Sequence, residues 1–96
     1  MASSTETDLE VQVKESEVDY SFGFSLTLYN DDYNTFDHVI ACLIKICRHS
    51  TEQATQCAYL VHYKGKCIVK EGSMYLLNGM CNKLQNEGLH AHVEQV

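Results

Sequence analysis

Ninety-six residues suffice for one hydrophobic core and leave too little chain for a second, so a single domain is expected. The net charge of −6 argues against a nucleic-acid partner, which needs a basic stripe to release phosphate counterions, and charges interrupt every apolar run well before bilayer length. The opening MASSTETDLE is acidic where a secretory leader is basic and then apolar, so a cytoplasmic location is expected, with no membrane association.

Residues 1 to 20 hold six acids (Glu6, Asp8, Glu10, Glu15, Glu17, Asp19) against Lys14, a net of −5, which leaves −1 for the other 76 residues. With few large apolar groups, residues 1–19 read as a flexible acidic tail, and residues 20–96 as the folded domain. A weak alternation at Leu9, Val11 and Val13 is the one hint of a strand in the tail.

From Tyr20 to Tyr29, Phe22, Phe24, Leu26 and Leu28 alternate with Ser21, Gly23, Ser25 and Thr27, which predicts a first strand with one buried face. Asn30, Asp31 and Asp32 then supply turn chemistry. Phe36, Val39, Ile40, Leu43, Ile44 and Cys47 form one helical stripe, so a helix is expected over about 35–48 with Asn34 or Thr35 as its N-cap. Ser50 and Gln53 make a capping box for a second helix carrying Ala54, Cys57, Ala58 and Val61, which Gly65 ends. The run Lys66 to Lys70 is consistent with a central strand. Ser73, Leu76, Leu77, Met80, Cys81 and Leu84 predict a third helix closed near Gly88, and Gly79 within it suggests close packing. Leu89, Ala91 and Val93, alternating with His90, His92 and Glu94, give a last strand. The order is β-α-α-β-α-β, an α+β fold.

Several constellations have two readings. Asn30, Asp31 and Asp32 are a solvated turn or a seat for a cation such as an ammonium group, and no twelve-residue calcium loop is present. His62, ending the second helix in VHYKGK, either complements the helix dipole or accepts a hydrogen bond from a ligand. His90 and His92 share a strand face but lack a third metal ligand, so no metal and no cofactor is expected. The five cysteines, an odd number with no C-x-x-C pair, read as small buried hydrophobes. A Cys57–His62 hydrolase dyad or a two-histidine metal site is the alternative function, disfavoured because burial raises a thiol pKa.

The segments LYNDDYNTFDHVI, EQATQ and VHYKGK resemble the ClpS family of N-end-rule adaptors, whose pattern is an N-D-D-Y segment leading into a helix and an A-T-Q helix ending in V-H-Y-x-G-K. The resemblance runs from about Phe24 to the C-terminus. It implies a three-stranded antiparallel sheet packed on three helices, with a pocket for one N-terminal side chain, and a monomeric adaptor without catalysis. Such adaptors bring N-degron substrates to an AAA+ unfoldase of the ClpA or ClpC type. Position by position, the resemblance implies that Asn30, Asp31 and His62 grip the α-amino group with Asp32 nearby, while Phe36, Val39, Val61 and Leu89 line the side-chain pocket. Asn34-Thr35-Phe36 replaces the family's Thr-Pro-Met, and Tyr75 and Met80 stand where a glutamate and a lysine commonly touch the unfoldase.

Overall fold

The computed structural model describes residues 23–96, and the acidic segment 1–19, with Tyr20 to Phe22 of the expected first strand, lies outside it. Three strands, β1 (Phe24–Tyr29), β2 (Lys66–Gly72) and β3 (His90–Gln95), form one antiparallel sheet in the order β2-β1-β3. Helices α1 (Phe36–Cys47) and α2 (Thr51–Lys64) connect β1 to β2, and α3 (Met74–Asn86) connects β2 to β3. The expected α+β order and the three-on-three architecture are thus observed.

The central strand is β1, not β2 as the apolar run Lys66 to Lys70 suggested. The reason lies in side-chain size as much as hydrophobicity. Leu26 and Leu28 face the helices, while Ser25 and Thr27, on the other face, are also buried because they are short and sit between taller cross-strand neighbours. At the β2 edge, Ile68 is 54% exposed, and Lys66 and Glu71 are exposed charges that discourage pairing with another sheet. The β1–β2 register skips Val69 between Leu26 and Thr27, a bulge that takes its carbonyl out of the regular ladder. His49, buried at the end of α1, supplies the missing partner: its Nε2 lies 2.8 Å from that carbonyl oxygen.

Each helix starts on a hydroxyl. Thr35 accepts from the His38 N–H, Ser50 from Gln53 and Ser73 from Leu76, satisfying N–H groups that the first turn leaves without helical partners. Helix α2 stops at Gly65, whose φ of 96° places it in the left-handed region. The core joins Leu43 and Cys47 of α1, Ala54 and Val61 of α2, and Leu77 and Leu84 of α3 to the inward strand residues Leu26, Leu28, Val69 and Ala91. Gly79 departs from expectation: a Cβ there would meet nothing within 4 Å, so it is an open surface position instead of a packing requirement.

Candidate functional site

The end of β1 meets the start of α1 through a tight turn that Asp31 organises. Its Oδ1 accepts from the backbone N–H of Tyr33 and of Asn34, both at 2.8 Å, and its Oδ2 accepts from Asn34 Nδ2 at 2.7 Å. Partial burial works to raise the carboxyl pKa, but the bonds from Asn34 and Tyr33, helped by nearby His90, outweigh it and hold Asp31 below the ordinary carboxylate value. Asn30 is anchored through its backbone, its N–H donating to the Gly65 carbonyl at 2.9 Å, so the end of β1 lies against the end of α2. Asn34 has a second role. Its Nδ2 also donates to the Gly88 carbonyl at 2.9 Å, and His38 Nε2 lies 2.9 Å from the Glu87 carbonyl, so the start of α1 holds the turn that feeds Leu89 into β3.

Between these elements lies a narrow cleft lined by Leu28, Tyr29, Asn30, Asp31, Asn34, Val39, Val61 and Leu89. Its polar rim comes from the turn and its apolar floor from β1, α1, α2 and the start of β3. The cavity is about 10 Å³, roughly one water molecule. Five of the eight residues expected at the site, Asn30, Asp31, Val39, Val61 and Leu89, are brought together there, and the other three are not part of the lining. Asp32 is exposed on the turn. Phe36 is half-buried and meets Tyr59 edge-to-face at 4.9 Å between ring centroids. His62 is exposed on the last turn of α2, with its ring 6.3 Å from Phe36 and 4.8 Å from Tyr63.

The sequence reading left out Leu28, Tyr29 and Asn34. For Asn34 a signal existed, since Asp31 and Asn34 stand three residues apart as in an Asx-type turn; its bond to Gly88 had none.

All five cysteines are buried and free. Burial lifts the Cys47 thiol to about 11, against a partial downward pull from Lys70. Burial, with the Cys57 thiol as a hydrogen-bond neighbour, lifts Cys67 to about 12. Cys57 is therefore packed towards Cys67 in the core while His62 points to solvent, which gives no nucleophile–base pair of the kind a thiol hydrolase requires.

The sequence profile of the ATP-dependent Clp protease adaptor protein ClpS matches residues 22–92. The chain belongs to the ClpS family. It is 44% identical over 62 residues to the ATP-dependent Clp protease adapter protein ClpS of Oleidesulfovibrio alaskensis, covering 65% of this chain and 59% of that protein. To the protein of the same name from Thermosynechococcus vestitus it is 42% identical over 50 residues, 51% of this chain and 53% of that one. The Synechocystis ClpS is 36% identical over 67 residues, covering 69% of this chain and 68% of that protein. The chain thus spans little more than half the length of the first two of these relatives. The solved structure of Agrobacterium tumefaciens ClpS2 bound to L-phenylalaninamide superimposes with a TM-score of 0.75 at 18% identity, over 80% of this chain and 99% of that one, and shares the fold. The family is described as one of adaptors of the ATP-dependent Clp protease. Among the described residues, no helix is long and apolar enough to cross a membrane.

Proposed function

We propose that this chain binds the free N-terminal residue of a protein, with a preference for large hydrophobic and aromatic side chains, and delivers that protein to an AAA+ unfoldase of the ClpA or ClpC type. It acts without catalysis, as a cytoplasmic monomer. The observation that carries this reading is the cleft itself, whose lining combines Asn30 and Asp31 with the apolar Val39, Val61 and Leu89. A protonated α-amine offers three N–H donors, and Asp31 still has one lone-pair direction free after its three turn bonds. Asn30 Oδ1 and a neutral His62 nitrogen complete the acceptors once the ligand is seated, and Asp32 adds negative charge beside them. ClpS2, in its phenylalaninamide complex, holds a molecule with this pairing of free amine and aromatic side chain.

A cleft with room for one water admits such a side chain only by opening. The elements able to yield are the partly exposed ones: Phe36 at the α1–α2 seam, and the Glu87–Leu89 turn held by Asn34 and His38. The unfoldase meets a different face, the groove of about 700 Å³ between α1 and α3 lined by Lys45, Arg48, Tyr75, Gly79, Met80 and Lys83 among others. The deciding experiment is a titration with fluorescent peptides that differ only in their first residue, comparing Leu, Phe, Tyr and Trp with Ile and Ala. Tight binding of the first four and weak binding of the others is expected; flat binding across the series overturns the reading.

A further inference from the structure

The charged residues that line the groove between α1 and α3 are Lys45, Arg48 and Lys83, all exposed and all basic, in a chain whose net charge is −6. Beside them Tyr75 and Leu76 are exposed on the first turn of α3. The acids concentrate elsewhere, six of them in the stretch that precedes β1. We propose that this acidic N-terminal segment docks in cis on the basic groove, with Glu15, Glu17 and Asp19 facing Lys45, Arg48 and Lys83.

Three observations support the assignment. The first is where the segment joins the domain. Phe24 pairs with Gly72, the residue before the Ser73 cap of α3, and a Cβ added to Gly72 would stand 3.9 Å from Leu76 of the groove wall. The other wall is drawn to the same end of the sheet, because Lys70 Nζ donates to the Cys47 carbonyl at 3.4 Å and Lys70 pairs with Leu26, two residues from Phe24. The chain therefore enters β1 beside the mouth of the groove.

The second is length. Tyr75 and Lys83 are eight residues apart on α3, about 12 Å at 1.5 Å per residue. Asp19 and Glu15 stand five and nine residues before Phe24, a reach of up to roughly 17 and 30 Å at about 3.3 Å per residue. The tether is long enough to lay all three acids along the groove.

The third is the charge pattern. Glu15, Glu17 and Asp19 alternate along the chain, so an extended backbone presents all three on one side and turns Lys14 away. Exposed ion pairs are weak singly, but a short tether holds the segment at an effective concentration of about millimolar, so a contact too weak to join separate molecules is populated within one. Any partner that reads the groove must first displace these carboxylates. Under the proposed function that partner is the unfoldase, although the docking itself does not rest on that reading.

The test compares amide NMR spectra of the full chain with those of a full-length triple variant, Glu15→Gln, Glu17→Gln and Asp19→Asn. The expected result is a set of shifts confined to residues 45–48 and 75–83. Salt at about 1 M, where the Debye length is about 3 Å, should move the wild-type groove amides at least halfway to the variant positions, and dilution of the protein should leave them where they are. From the other side, Lys45→Gln with Lys83→Gln, both at exposed positions, should shift the amides of Glu15, Glu17 and Asp19. Groove amides that coincide in wild type and triple variant overturn the proposal. So do shifts that fall on another face, or that fade on dilution, since the segment would then be reaching a second copy. No peptide or unfoldase is present in this measurement, so its failure leaves the proposed function standing, and flat binding in the first-residue titration leaves the docking standing.

Discussion

The cleft beside Asp31 and the groove between α1 and α3 are opposites. The cleft is nearly closed, and its rim is fixed by hydrogen bonds from Asp31 and Asn34. The groove is wide, its charged lining residues are Lys45, Arg48 and Lys83 with no acid among them, and Tyr75 stands 91% exposed on its wall. The contrast separates two kinds of recognition. Under the proposed function, a small ligand is selected by a few fixed donors and acceptors around a space it must open, whereas a large partner meets a preformed surface where charge steers approach and affinity spreads over many contacts.

The sharpest way to break the comparison is to acetylate the N-terminus of a Leu-first peptide. That removes the charge and two of three donors, and with charge-assisted bonds worth about 1.5–3 kcal/mol each, affinity should fall more than a hundredfold. Fluorescence anisotropy with the free and blocked peptides reads this directly, and equal binding would remove Asn30, Asp31 and His62 from the site.

Asp31 comes next, because it holds the turn and, in the proposed function, also meets the ligand. Its folded pKa is depressed, so its contribution to stability is fully present above the unfolded-state pKa and is lost as pH falls through the lower folded value. Urea unfolding at neutral pH should show Asp31→Ala destabilised by about 1–2 kcal/mol, the range for loss of a capping side chain, and the deficit against wild type should shrink on acidification. A deficit that stays constant with pH would mean that the charge is irrelevant to the turn.

At the groove, Lys83→Glu should weaken hand-over to the unfoldase by about tenfold at low salt, less at high salt, and leave peptide affinity untouched. Loss of peptide binding in this variant would show that the two regions are not separate.

The smallest effect belongs to Gly79→Ala. The position is helical and open, so the substitution should stabilise the chain by about 0.5–1 kcal/mol, seen as a rise in Tm. If hand-over suffers as Tm rises, the partner packs against that bare stretch of α3.

The local grammar of the fold was legible in the sequence. The strand at Leu26 and Leu28, the Ser50 cap and the Gly65 stop each depend on residues a few positions apart, and each appears in the structure where the pattern put it, although the single buried face expected of that strand does not, since Ser25 and Thr27 are buried as well. What failed depends on distant parts of the chain. Strand order cannot be read from one strand's hydrophobicity, because Thr27 is buried by neighbours such as Glu94, whose carboxylate accepts from its hydroxyl at 3.0 Å. The burial of His49, in the connection between α1 and α2, is explained only by the bulge at Val69. The site shows the same division. The asparagine and aspartates announced themselves by adjacency, whereas the Asn34 bond to Gly88 and the contact between His38 and the Glu87 carbonyl exist only once α1 and α3 are packed.

The position of β1 also bears on how the chain acquires its structure. Its two partners flank it in space but not in sequence: β2 follows after two helices, and β3 is the last strand to be made, with Phe24 paired to Gln95. On a ribosome, β1 emerges first and waits with both hydrogen-bonding edges unpaired, while α1 and α2, whose contacts are local, can already dock on each other. The sheet closes only once β3 has been made, so a nascent chain stalled within α3 would present a bare β1 edge, the kind of surface that recruits chaperones or a second unfinished copy.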